Sequence, residues 1–213
     1  MRITVFGAAG SVGSRVAAEA SARGHEVTGV VRSRARLAEL PSGVHGRVGD
    51  AAEPQDVARL AAGQDLVVSA TRPAPGQEAE LVAATRGLLA GLAGSGVRLL
   101  LVGGAGSLRI PGGGGLTVVD GPDFPPSWRP IALACNDQLD AVTADSGAVD
   151  WAYLSPPAIL EPGERTGAYR LGTDELVVAA DGTSSISVED LAVALVDEAE
   201  RPKHHRVRFT VGY

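Results

Sequence analysis

Cysteine is nearly absent from this 213-residue chain, which holds one, and lysine is as scarce, with Lys203 alone among 19 basic residues. A single cysteine, Cys135, excludes an internal disulfide and any CxxC zinc knuckle. Four histidines, two of them adjacent at His204-His205, make a poor start for a metal site, and no metal ligand is assigned. No stretch reaches the ~18 uninterrupted apolar residues that a membrane helix needs; residues 88–106 come nearest and are cut by Arg98. No segment reads as a targeting signal, so a cytoplasmic protein is expected. Positive charge is also short: 19 basic against 25 acidic residues leave a net charge of −6. Such a surface does not advertise nucleic acid or anionic lipid as partners. What is present is a globular balance, 45% hydrophobic and 21% charged. That balance rules out a disordered tail, a collagen-like fibre or a coiled coil.

Short β-branched runs alternate with alanine- and leucine-rich stretches. Ile3–Phe6, Val27–Val31, Val44–Val48, Asp65–Ala70, Arg98–Val102, Val149–Leu154 and Val207–Val211 read as strands. Residues 11–23, 54–62, 77–93, about 130–145 and 188–199 read as helices, with Gly24 where a helix-ending glycine belongs. Alternation at this spacing implies βαβ units and a mainly parallel sheet with helices on both faces. The expected fold is one α/β Rossmann-type three-layer sandwich over residues 1–213, residues 1–103 forming its first half. Residues 104–213 would supply the remaining sheet and a small C-terminal elaboration. Two regions break the rhythm: the glycine-rich residues 103–128, and residues 155–187, which read as loops and short strands. A long loop inside a compact domain is either disordered or functional, and we expect residues 104–128 to border a substrate pocket.

Gly7-Ala8-Ala9-Gly10-Ser11-Val12-Gly13 is a G-x-x-G-x-x-G sequence placed straight after a strand and opening a helix. Gly7 allows a tight turn, Gly10 lets backbone approach a pyrophosphate, and Gly13 permits close helix–strand packing. The free N–H groups of the helix start face the anion. This context predicts dinucleotide binding through Gly7, Ala9, Gly10, Ser11, Val12 and Gly13.

With this spacing the chain resembles the atypical short-chain dehydrogenase/reductases. Further stretches narrow the likeness to the NAD(P)H-binding, NmrA-like group that includes flavin reductase/biliverdin reductase B. These are Gly49-Asp50, Ser69-Ala70, Gly103-Gly104-Ala105-Gly106-Ser107, and Pro156-Pro157 followed by Thr166-Gly167-Ala168-Tyr169. The resemblance implies that Asp50, with Ala51 beside it, meets the adenine amino group and that Ser69, Ala70 and Thr71 pass beside the adenosine. It also implies that Gly103, Gly104, Ser155 and Pro156 border the nicotinamide. Read without the resemblance, Asp50 is a turn residue ahead of the helix at 54.

The end of strand two speaks to cofactor choice. NAD-specific relatives carry an acid ~20 residues after the glycines to hold the ribose diol; here Val30-Val31 runs into Arg32-Ser33-Arg34. Guanidinium groups can grip a 2′-phosphate bidentately, so Arg32 and Arg34 point to NADP(H) over NAD(H), the alternative being a solvated helix start. Many short-chain dehydrogenases use a Tyr-x-x-x-Lys pair as general acid, yet position 199, four before Lys203, is alanine. The reaction expected is therefore hydride transfer from NADPH to a planar conjugated acceptor, such as a flavin or quinone, oriented by the protein. Ser107 is the best polar candidate for catalysis, or a loop hydrogen-bonder. Phe124 and Trp128 supply a flat wall for the acceptor, or core packing. Cys135 reads as structural. Two other readings stand beside this one: a non-catalytic NADP-binding redox sensor working through a protein partner, and an epimerase or dehydratase-like enzyme that retains its nucleotide. A monomer or homodimer is expected.

Overall fold

The computed structural model describes residues 1–145, 147 and 149–213. Its first strand, β1 (Arg2–Phe6), is buried at four successive positions, as a strand covered on both faces must be. Three of them are apolar and the fourth is Thr4, whose hydroxyl donates to Leu60 O. β2 (Glu26–Val31) and β4 (Leu66–Ser69) flank β1 in parallel register. β3 (His45–Val48) lies outside β2, while β5 (Arg98–Val102) and β6 (Trp151–Ser155) extend beyond β4. The sheet ends with β10 (Val207–Gly212), parallel to β6, and β8 (Arg170–Gly172), antiparallel to β10. The order β3-β2-β1-β4-β5-β6-β10-β8 reverses between β1 and β4, and doubly wound sheets bind ligands at such a reversal. β7 (Ile159–Glu161) and β9 (Ser185–Ser187) form a separate parallel pair.

Alternating strand residues build two cores. Val5, Val68, Leu100, Leu154 and Phe209 pack against α1 (Ser11–Ala22) and α5 (Val188–Glu200). Phe6, Val67, Leu99, Leu101 and Tyr153 pack against α2 (Pro54–Ala61), α3 (Glu80–Leu92) and α4 (Arg129–Thr143). Trp151, 2% exposed, sits at the start of β6 opposite Leu99. The expected helices and parallel strands are present, with ends moved by one to three residues; Gly24 takes φ +83° just past α1.

Two regions differ from their sequence reading. Residues 103–128 form a hydrogen-bonded structure. Leu108 N donates to Ala105 O, Val119 N to Gly106 O and Arg109 N to Asp174 O, and both Leu108 and Val119 are buried. His204, whose position beside His205 suggests a solvated turn, instead stacks on Phe209 with ring centroids 4.2 Å apart. Its Nδ1 bonds Glu198 Oε2 at 2.8 Å.

Candidate functional site

The turn from β1 into α1 is built by its glycines. Gly7 has φ +79°, and a methyl group there would lie 2.5 Å from Ala70 O at the end of β4. A methyl at Gly13 would lie 2.2 Å from Gly7 O, so helix and turn touch backbone to backbone. Gly10 N donates to Gly7 O at 2.9 Å and closes the turn. Gly10 caps α1 with no side-chain hydrogen bond, and no acidic residue stands in the first turn. The N–H groups that a helix start leaves without partners are therefore open to an anion, with the helix dipole favouring negative charge.

This turn forms one wall of a cleft of about 440 Å³ at the carboxyl ends of β1, β2 and β4, a volume in the usual range for ligand sites. Gly7, Ala9, Gly10, Ser11 and Val12 line it, as do Arg32, Asp50, Ala51, Ala70 and Thr71. Asp50 Oδ1 accepts from Ala52 N at 2.9 Å, which is the turn role, while its side chain also faces the cleft. Ser69 lies behind the cleft wall, 1% exposed, its Oγ 3.2 Å from Thr71 Oγ1. A backbone turn that a Cβ would fill, an uncapped helix start and a cleft of this size fit a dinucleotide.

The basic residues fall differently from their sequence order. Arg32 lines the cleft and donates from Nη1 to Glu80 Oε2 at 2.7 Å. Arg34 is exposed and does not line the cleft. Arg36 takes that place: its Nη2 donates to Ala9 O at 3.1 Å and to Glu39 Oε2 at 2.8 Å. The reason is local geometry. Residues 34–39 wind as a 3₁₀ turn, so side chains three apart stack and the alternation of an extended strand is lost. The arginine spacing 32, 34, 36 carries a signal for Arg36. Glu80 carries none, because it arrives from α3, 48 residues away in sequence.

The residues expected around the nicotinamide and acceptor lie toward β5, β6 and β10 and do not line this cleft. Gly103 packs on Tyr153, whose ring would lie 1.9 Å from a Cβ there, and Gly104 packs on Cys135. Burial pushes the Cys135 thiol up to about 11. Ser107 Oγ accepts from Arg208 Nη1 at 2.8 Å, which is the loop-bonding alternative. Ser155 is fully buried with its Oγ unpartnered among the described residues, and Pro156 is buried beside it. Phe124 is partly exposed and Trp128 is 58% exposed, so Trp128 belongs to neither the core nor the cleft wall. The hydroxyls of all three tyrosines have internal acceptors. Tyr153 donates to Cys135 O and Gln138 Oε1, Tyr169 to Asp197, and Tyr213 to Asp190. Burial raises the Tyr153 phenol well above its ordinary range. Among the described residues no group of acids, histidines and cysteines is arranged to hold a metal ion, and no helix is long and apolar enough to cross a membrane.

Residues 7–202 match the family model described as NAD(P)H-binding. The uncharacterised protein YwnB of Bacillus subtilis (strain 168) is 39% identical over 218 aligned residues, covering 99% of this chain and 98% of that protein. Among solved structures, a candidate epimerase from Bacteroides thetaiotaomicron is 39% identical with a TM-score of 0.88, over 100% of this chain and 96% of that one. SP1627 from Streptococcus pneumoniae TIGR4, a candidate NADH-flavin reductase, is 32% identical with a TM-score of 0.86, over 100% and 99%.

Proposed function

Because this chain belongs to the NAD(P)H-binding family, with the fold of the atypical short-chain dehydrogenase/reductases, we propose that it is an NADPH-dependent reductase of a planar conjugated acceptor, a flavin or quinone. The observation that carries this reading is the anion-ready turn of Gly7–Gly13 opening onto a cleft lined by Asp50, Arg32 and Arg36. The start of α1 would hold the pyrophosphate, Asp50 the adenine amino group, and Arg32 with Arg36 the 2′-phosphate. Gly103, Gly104, Ser155 and Pro156 would flank the nicotinamide, by the family likeness. Reduced nicotinamide, when bound, supplies hydride. The protein's share is to orient the two rings and keep water from between them. The internal bonding of every tyrosine hydroxyl supports a proton drawn from water, in keeping with the missing Tyr-x-x-x-Lys pair. A cytoplasmic site of action and a small-molecule acceptor as partner are part of the same proposal.

The test is loss of reduced-nicotinamide absorbance with flavins, quinones and tetrapyrroles as acceptors, run beside a cofactor titration. Turnover with any of them supports the reductase. Tight NADPH binding without turnover on the whole panel would favour a sensor. The candidate-epimerase neighbour gives a second reading some weight; cofactor that co-purifies and does not exchange would favour it.

A further inference from the structure

We propose that Glu80 sets how strongly the chain prefers NADP(H), by competing with the adenosine 2′-phosphate for Arg32. The inference rests on the cofactor reading above and names a residue that neither the glycine turn nor strand two reveals. Arg32 directly follows β2 and Glu80 begins α3, which follows β4. β2 and β4 lie on either side of β1, so the pair bridges the two flanks of the cleft above the point where strand order reverses. Both side chains line the cleft, and both are about half exposed, 57% and 43%.

The arrangement is asymmetric in a way that favours exchange. Arg36 is held twice over, by Glu39 and by the carbonyl of Ala9, and Glu39 does not line the cleft. Arg36 thus faces the site with its carboxylate partner outside it, in a pair that is also half exposed. Among the described residues Arg32 has a single carboxylate partner, and that partner faces the site with it. An exposed pair of this kind is weakly held. A phosphate monoester carries close to two negative charges at neutral pH and can take the guanidinium from Glu80. In doing so it leaves an uncompensated carboxylate nearby, which opposes it. A cofactor with a hydroxyl at that position leaves the pair closed and meets no such opposition. Glu80 therefore narrows the preference that Arg32 and Arg36 create.

The experiment is a fluorescence titration of NADPH and of NADH against the wild-type chain, Glu80→Gln, Arg32→Ala, Arg36→Ala and the Arg32→Ala/Glu80→Gln double variant. Glutamine keeps the size and hydrogen-bonding reach of the side chain and removes the charge. Glu80→Gln is expected to tighten NADPH about three- to tenfold, the size of one nearby like charge in a wet site, with NADH changed by less than about twofold. Arg32→Ala is expected to weaken NADPH about tenfold, and in the double variant the gain from glutamine should largely vanish. An unchanged NADPH-to-NADH ratio in Glu80→Gln, with NADPH selectively weakened in Arg32→Ala, overturns the role of Glu80 alone. Loss of NADH binding in Glu80→Gln also overturns it, by assigning the carboxylate to the ribose diol. If neither arginine variant separates the two cofactors, the cofactor reading falls and this inference with it.

Discussion

Gly10 and Gly13 stand three residues apart in one turn, yet a methyl group at each would do different things. At Gly13 it would lie 2.2 Å from the carbonyl oxygen of Gly7, a backbone atom that cannot step aside. Gly13→Ala is expected to destabilise the fold by ~1–3 kcal/mol or more, the cost of forced overpacking. At Gly10 the nearest atom is the same oxygen at 3.2 Å, and the methyl faces the cleft. Gly10→Ala should keep most of its stability and lose cofactor affinity. Denaturant melts and cofactor titrations of the two variants separate the effects, and equal stability losses would contradict this account. Ser107 makes the opposite case: its hydroxyl accepts from Arg208 and does not line the cleft. Ser107→Ala is expected to lower turnover less than tenfold, below the ~10²–10⁴-fold cost of removing a general acid; a loss beyond a hundredfold with cofactor binding intact would restore Ser107 as the acid.

At the scale of elements, α5 is fastened to the amino-terminal side of the sheet by one carboxylate. Glu198, 4% exposed, accepts from Arg98 Nη2 of β5 at 2.7 Å and from the backbone N–H groups of Lys203 and His204 at 3.0 Å. Burial pushes the Glu198 carboxyl up, but Arg98 and the His204 and Lys203 donors outweigh it and hold it below the usual range. Since the folded value lies under the unfolded one, the stabilisation is complete above ~pH 4.3 and is lost as pH falls through the folded value. Glu198→Ala should cost about 1–3 kcal/mol by removing the more buried of the two carboxylates on Arg98, which keeps Asp150 Oδ2 at 3.2 Å, and should flatten the acid limb of a stability–pH profile. An unchanged acid limb would remove Glu198 from that role. Elements of this kind were legible wherever the signal was local. The largely apolar run Ile3–Phe6 in β1 and the 3.6-residue spacing in α1 specify themselves. β7, β8 and β9 are three residues each, too short for any period to register, and they exist because neighbouring strands offer edges. The glycine turn, Asp50 and Arg32 were readable for the same local reason. Arg34 was displaced by a 3₁₀ turn that brings Arg36 to the cleft instead, and Glu80 was invisible because only the sheet order brings it near β2.

The whole molecule places its ligand cleft at the reversal of strand order, against Phe6, Val30, Ala51 and Ala84 of the second core, so a bound dinucleotide would brace both halves of the first sheet segment. Ligand that binds only the folded state stabilises by mass action, ~2.7 kcal/mol at a hundred times Kd. For a chain of this size that corresponds to a rise in Tm of about 5–10 °C. NADPH is expected to give the larger rise at equal concentration, NADH the smaller; equal shifts would count against any phosphate discrimination. The two tryptophans add an optical consequence. Trp151 lies 2% exposed at the start of the interior strand β6, and Trp128 lies 58% exposed at the start of α4. One indole is dark to aqueous quenchers and reddens only when the sheet comes apart. The other is quenchable from the outset and is blind to the core. The chain therefore carries its own pair of reporters, separable with iodide alone, one for integrity of the fold and one for events on the surface beside α4.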